Sequence, residues 1–418
     1  MRKFSKLLTV LVLGLGIFLL AGCDTKVEVQ GVTDTEILVG NTAATTGDYA
    51  AIGVPFNAAL EAVFARVNAE GGIDGRMIRF VHYDDGFQAD TGLQLTERLV
   101  EDDKVFALVG HFGTPTVGAT IDYIQRYGLP MVYAATGINQ LYFQESPMNP
   151  VMAVQPIYYT DGRIMAARAV KEAVFGANMD QALPADAKIG VIYTNDDAGN
   201  SIKEGIEFQL EELGRTSNAI FEQVGTEYAA AITKFKNEGV QVVIAAVNQG
   251  PFAGIVTQMV TSELHVPVFS SYVNSDTTVI PAGVRDSGIE LFINAWVDIF
   301  TEAGQAAVAD FVDVLTRAEL LQYATNNFAI AGYIAGMVFV EGLERVAAQE
   351  DKTLTFASYI AAMESAPIQV PFGGTVDFGN GHRWGIASMS LLHYQEIAEA
   401  WTFAKVREIE TIEQILAK

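Results

Sequence analysis

Two short loops carry the residue types best suited to holding a small molecule. Gly110-His111-Phe112-Gly113-Thr114-Pro115-Thr116 follows an apolar run and opens a helical one. Thr114 reads as the N-cap and Pro115 as the first helical residue. Free backbone N–H groups at a helix start suit a carboxylate, which makes Gly113 and Thr114 candidate contacts. Tyr133-Ala134-Ala135-Thr136-Gly137 ends the next strand-like run. Further on, Asn248, Gln249 and Phe252 follow the end of a strongly apolar stretch and could line an opposing wall.

Catalytic constellations do not emerge. There is no Gly-x-Ser-x-Gly nucleophile elbow, no P-loop, and no Gly-x-Gly-x-x-Gly fingerprint after a strand. His82, His111, His265, His382 and His393 are scattered without metal-ligand spacing. Asp84-Asp85 looks like paired acids, but adjacent strand residues point to opposite faces. The chain reads as a binder rather than an enzyme, with neither cofactor nor metal expected.

One thiol has a clear chemistry. Cys23 is the single cysteine and closes Leu20-Ala21-Gly22-Cys23. Arg2, Lys3 and Lys6 precede an apolar run, Leu7–Leu20, of 14 residues, short of the roughly 20 that span a bilayer. Charged start, short apolar centre and small-residue end define an export signal. The segment resembles a bacterial lipoprotein signal, cut before Cys23 so that the acylated thiol anchors the mature chain at the membrane. With no later cysteine, disulfides cannot hold the body together. No later apolar run is expected to cross a membrane.

The elements that must position these loops alternate regularly. Strands are expected at Glu36–Gly40, Met77–Tyr83, Val105–Val109 and Pro130–Tyr133. The helices between them include an apolar face of Phe56, Ala59, Leu60, Val63, Phe64 and Val67. The pattern repeats with strands at Lys188–Thr194, Ala219–Val224, Val240–Ala246 and Val266–Ser270, and a last strand is expected at Ala387–Tyr394. Such alternation demands parallel sheets with helices on both faces. The fold class is therefore α/β, two Rossmann-like lobes joined by a multi-strand hinge. We divide the chain into a signal at 1–22, a tether at 23–35, lobe 1 at 36–155 plus 299–371, and lobe 2 at 156–298 plus 372–418. A cleft between hinged lobes is the natural ligand site.

The chain has 418 residues, half of them hydrophobic, and a formal net charge of -24. That length supports two ordinary domains. So acidic a surface repels nucleic acid and anionic headgroups.

Several stretches together are similar to one family. They are Thr46-Gly47-Asp48-Tyr49, Asn68-Ala69-Glu70-Gly71-Gly72-Ile73-Asp74-Gly75, His82-Tyr83-Asp84-Asp85, Leu108-Val109-Gly110-His111 and Gly373-Gly374-Thr375-Val376-Asp377-Phe378. Their order resembles extracytoplasmic solute-binding proteins of the leucine/isoleucine/valine-binding type, which serve ABC importers. The resemblance implies a type I periplasmic-binding fold, clamshell closure, docking to permease subunits and no chemistry on the ligand. It also implies that Thr114 holds a ligand carboxylate, that Ala135 and Thr136 contact the ligand, and that Tyr49 lies near the cleft. Tyr158 and Gln155 fall at the first crossing between lobes.

The second lobe departs from the family pattern. Where the family has Tyr-Gly after a strand, this chain has Ala198-Gly199. Where the family has an acid for the ligand ammonium, it has Ser271-Tyr272-Val273-Asn274. Either Asp196, Asp197 or Asp276 substitutes, or the ligand lacks an α-ammonium. The expectation is a lipid-anchored monomer that binds a small carboxylate-bearing solute, most simply an amino acid. An aromatic or aliphatic carboxylate, or an amide, is the alternative ligand. A ligand-sensing receptor subunit is the alternative role.

Overall fold

The computed structural model describes residues 28–141, 146–176 and 178–418. Cys23, the signal and the first residues of the tether, through 27, lie outside the described residues.

Strands β1 (Glu36–Ala43), β2 (Met77–Asp84), β3 (Ala107–Val109), β4 (Met131–Val132) and β5 (Val151–Met152) form one parallel sheet in the order β2-β1-β3-β4-β5. Helices α1 (Ala50–Ala69), α2 (Ala89–Glu101) and α3 (Thr114–Tyr127) connect its first four strands. The chain then leaves for a second sheet through α4 (Tyr158–Lys171). There β6 (Lys188–Thr194), β7 (Ala219–Val224), β8 (Val240–Ala246), β9 (Val268–Ser270) and β10 (Leu291–Ala295) alternate with α5 (Asp197–Glu212), α6 (Ala229–Glu238) and α7 (Gln249–Thr261). Nearly all of β8 is buried, as a strand covered by helices on both faces requires.

Helices α8 (Glu302–Arg317), α9 (Asn327–Ala347) and α10 (Phe356–Glu364) return to the first sheet, where α9 packs along α1. That crossing is close because Gly332 faces the Phe56 carbonyl, and a Cβ there would sit 1.9 Å from the oxygen. The segment Gly47–Ala69 is long and apolar enough, with mean hydropathy 1.3, to resemble a membrane span. Phe56, Ala59, Leu60, Val63 and Phe64 are instead buried in the core it shares with α9. Its apolar character serves burial between sheet and helix.

A ribbon of β11 (Ile368–Gln369) and β12 (Thr375–Val376) follows. Phe372, at its turn, packs edge-on against Phe311 of α8 and Tyr333 of α9. The chain thus stays with the first lobe beyond the division drawn at 371/372, and recrosses near the Ile386 N–H bonded to the Val154 carbonyl. Strands β13 (Ser388–Ile397) and β14 (Ala400–Thr411) then add an antiparallel edge, giving β14-β13-β10-β9-β8-β6-β7, before a short α11 (Ile412–Leu416). The strand expected at Ala387–Tyr394 is β13, and β14 beyond it is not foreseen from the sequence. Its hairpin turns at Ala398-Glu399, with φ of 50° and 67°. Such a two-residue turn normally announces itself by Asn-Gly or Asp-Gly, and these residues carry no such signal.

Candidate functional site

The first wall of the cleft grows from the carboxyl ends of β1–β4. Asn41 of β1 donates to the Val109 and Gly110 carbonyls, tying β1 to the loop before α3. Buried Asp85 accepts from the Thr42 and Thr116 hydroxyls at 2.8 Å each and from the Phe87 N–H. This carboxylate thereby locks the first turn of α3 to two neighbouring strand ends. It is a positioning group, in keeping with the strand-end character of Asp84-Asp85.

The N-cap of α3 is Gly113, not Thr114. Gly113 adopts φ 101°, open to glycine, and a Cβ there would meet the Phe87 ring at 3.1 Å. Pro115 therefore sits one place later than the sequence suggested. The shift frees the Thr114 hydroxyl from capping. It meets the Thr136 hydroxyl at 2.8 Å instead. No side chain of the N-cap residue caps this helix end, and the first amides of a helix have no intrahelical partner. Tyr133, at φ 55°, turns the chain after β4 so that Ala135 and Thr136 come to the same place.

Tyr158 stands beside this hydroxyl pair. Burial raises its pKa, against hydrogen bonds with Thr114 and Thr136 that lower it, so the phenol stays neutral. The Tyr272 hydroxyl reaches from the second lobe to the Pro156 carbonyl at 2.8 Å and accepts from Gln155 at 3.0 Å. Tyr49 stacks on Phe87 with ring centroids 3.8 Å apart.

These groups line one cavity of about 530 Å³ between the sheets. Thr114, Ala135, Thr136, Tyr49, Gly113, Tyr158, Asn248 and Tyr272, all singled out from sequence, lie on its wall, with Gln155 and Gln249. Phe252 does not; it is buried in the second lobe's core. Of the three acids weighed for an ammonium, Asp276 alone lines the cavity. Asp196 is exposed and caps α5 through the Gly199 N–H, and Asp197 is exposed beside it.

Sequence reasoning missed an apolar arm. Trp296, Ile299, Phe300, Ile330, Leu392 and Phe403 extend the same cavity. They come from the end of β10, from α9 and from the β13–β14 hairpin, which no short motif connects.

The second wall holds one unusual acid. Asp161 of α4 is fully buried, and Asn294 of β10 donates to its Oδ1 at 2.8 Å. Burial raises its pKa to about 7, against hydrogen bonding from Ser271, Asn294 and the Tyr272 backbone. In the first lobe, buried His111 takes the opposite course. Its Nδ1 faces the Thr42 N–H, its Nε2 faces the Thr96 and Thr120 hydroxyls, and burial lowers its pKa to about 3.

Two α/β lobes, crossed several times by the chain and enclosing a hydroxyl-lined cleft at a helix N-terminus, define a two-lobed solute-binding protein. A family model described as periplasmic binding protein matches residues 36–397. The Leu/Ile/Val-binding protein homolog 2 of Brucella abortus is 26% identical over 240 residues, covering 57% of this chain and 60% of that relative. The chain thus spans less than two thirds of that relative's length. A fatty acid ABC transporter substrate-binding protein from Thermomonospora curvata superposes with a TM-score of 0.73 at 18% identity, covering 94% of this chain and 97% of that one. A branched-chain amino acid ABC transporter protein from Thermus thermophilus with bound valine gives 0.72 at 16% identity, covering 91% and 97%. The chain belongs to the periplasmic binding protein family, in its leucine/isoleucine/valine-binding, type I branch.

Proposed function

We propose that this protein is the lipid-anchored solute-binding component of an ABC importer. It holds a carboxylate-bearing small molecule between its lobes and passes it unaltered to permease subunits. Membership of the family implies work outside the cytoplasm, and the Leu-Ala-Gly-Cys string supports an anchor at Cys23. The carrying observation is the Thr114–Thr136 hydroxyl pair, 2.8 Å apart beside the side-chain-free N-terminus of α3 within the cleft. The hydroxyl of this bonded pair that keeps its O–H free, with the helix-end amides, forms a receptor for an anion rather than a cation. The ligands named for the two structural neighbours, a fatty acid and valine, both carry a carboxylate.

The test is a thermal-shift screen, followed by calorimetry, of protein beginning at Asp24. Amino acids, aromatic acids and short aliphatic acids are compared with their own amides. A bound ligand raises the melting temperature by mass action. Carboxylates should stabilise and their matched amides should not. Equal stabilisation by acid and amide, or turnover of a bound compound, would defeat this reading. For the anchor, Cys23→Ala should move the protein from the membrane to the soluble fraction. Retention of the variant at the membrane would refute acylation.

A further inference from the structure

The carboxylate reading says nothing of the other end of the ligand, and the apolar arm bears on that end. Resting on that reading, we infer that the cavity takes a monocarboxylate with an extended apolar tail and no α-ammonium group.

The first argument is size. A dry cavity of about 150 Å³ already holds benzene, whereas this one measures about 530 Å³. A single short aliphatic side chain leaves most of it unfilled. The second argument is lining. Besides the hydroxyl pair the cavity is lined by Trp296, Ile330, Leu392, Phe403, Ile299 and Phe300. The last two are 41% and 47% exposed, so the arm opens to solvent through an apolar rim. Gln322, Thr325 and Thr402 also line the cavity, and two amides beside them are engaged. Asn326 caps α9 by accepting from the Phe328 and Ala329 N–H groups, and Asn327 donates to the Ser275 carbonyl across the cleft. An alkyl or aryl chain fits the apolar part of this lining.

The third argument is charge. Asp276 is the one acid on the wall among the described residues. Its Oδ1 accepts both the N–H and the hydroxyl of Thr278, fixing its own turn. Asp161 lies behind Tyr272 and outside the lining. With Oδ1 of Asp276 committed to Thr278, an ammonium drawn into this cleft would have one remaining carboxylate oxygen to offset its lost water, a cost a plain carboxylate avoids.

Calorimetry on the intact mature domain separates these claims. Linear carboxylates from butanoate to decanoate should gain affinity by about fourfold per methylene until the arm is filled. Phe300→Ser, at an exposed position that folding tolerates, should flatten the gain for the longer members. Leucine should bind at least tenfold more weakly than 4-methylpentanoate, which has its skeleton without the ammonium. Affinity independent of chain length would overturn the tail. Tighter leucine binding, abolished by Asp276→Asn, would overturn the absent ammonium and make Asp276 its partner. If some carboxylates bind but show no length dependence, this inference alone fails. If no carboxylate binds in either the wild type or the variants, the underlying reading fails with it.

Discussion

The two walls of the cleft are built by different means. The first is backbone-led: a helix end, a glycine at positive φ and a hydroxyl pair, all held by Asp85 and Asn41 from neighbouring strand ends. The second is side-chain-led: Asn248, Gln249, Tyr272 and a turn at Asp276, continued by apolar groups from three distant segments. A backbone receptor recognises a functional group that many ligands share. A side-chain wall can change its ligand without disturbing the fold beneath it. The departure from the family pattern at Tyr272 falls on this second wall, whereas Ala198-Gly199 lies outside the cavity lining.

The largest effect should come from cutting the support of the first wall. Asp85→Ala leaves the Thr42 and Thr116 hydroxyls and the Phe87 N–H without their buried acceptor. We expect a loss of about 3 kcal/mol in stability, since hydrogen bonds to a charged group contribute roughly 1.5–3 kcal/mol. Denaturant titration measures it. A change below experimental error would show that the first wall does not depend on this carboxylate.

A second comparison sets His111 against Asp161, one in each lobe. His111 has a folded-state pKa far below its unfolded value, so the stability it supports is present above about pH 6.5 and lost on acidification toward about pH 3. Asp161 has a folded-state pKa raised to about 7, so its contribution is complete below about pH 4 and lost as pH rises through 7. A tenfold change in proton affinity on folding corresponds to about 1.4 kcal/mol, which makes the Asp161 effect a few kcal/mol. Asp161→Asn keeps an acceptor for Asn294. Melting curves across pH should show the variant gaining on wild type above neutrality while keeping the acid limb. Parallel pH profiles would remove Asp161 from the account.

Smaller effects separate recognition from architecture. Thr114→Ala should weaken carboxylate binding by about 1–3 kcal/mol, the worth of a hydrogen bond to a charged group, and should also lower the unliganded melting temperature, because Thr136 loses its hydroxyl partner. Unchanged affinity in calorimetry would take Thr114 out of the site. Smallest of all, Asp276→Asn should alter carboxylate affinity by less than about 0.5 kcal/mol, the usual range for changes away from specific contacts. A tenfold loss would show that the second wall reads charge after all.

Much of this molecule is legible along the chain. Three strands of the second lobe, at Lys188–Thr194, Ala219–Val224 and Val240–Ala246, coincide residue for residue with the expected ones, because each is a short β-rich run between clear turns, two of them largely buried and Ala219–Val224 at the sheet edge. The site loops are legible because they immediately follow such runs. The cap of α3 falls one position before Thr114, since a glycine at positive φ can serve as N-cap and the sequence alone does not state φ.

What the sequence determined by itself was the α/β alternation and the glycine-threonine loop, both written in residues close together in the chain. What only the tertiary structure decided was the apolar arm. Trp296, Ile330 and Phe403 are far apart in sequence and meet because the chain recrosses the hinge and adds a hairpin whose turn lacks the usual residues. Local propensity fixes elements, but a cavity is made by the non-local packing of their ends.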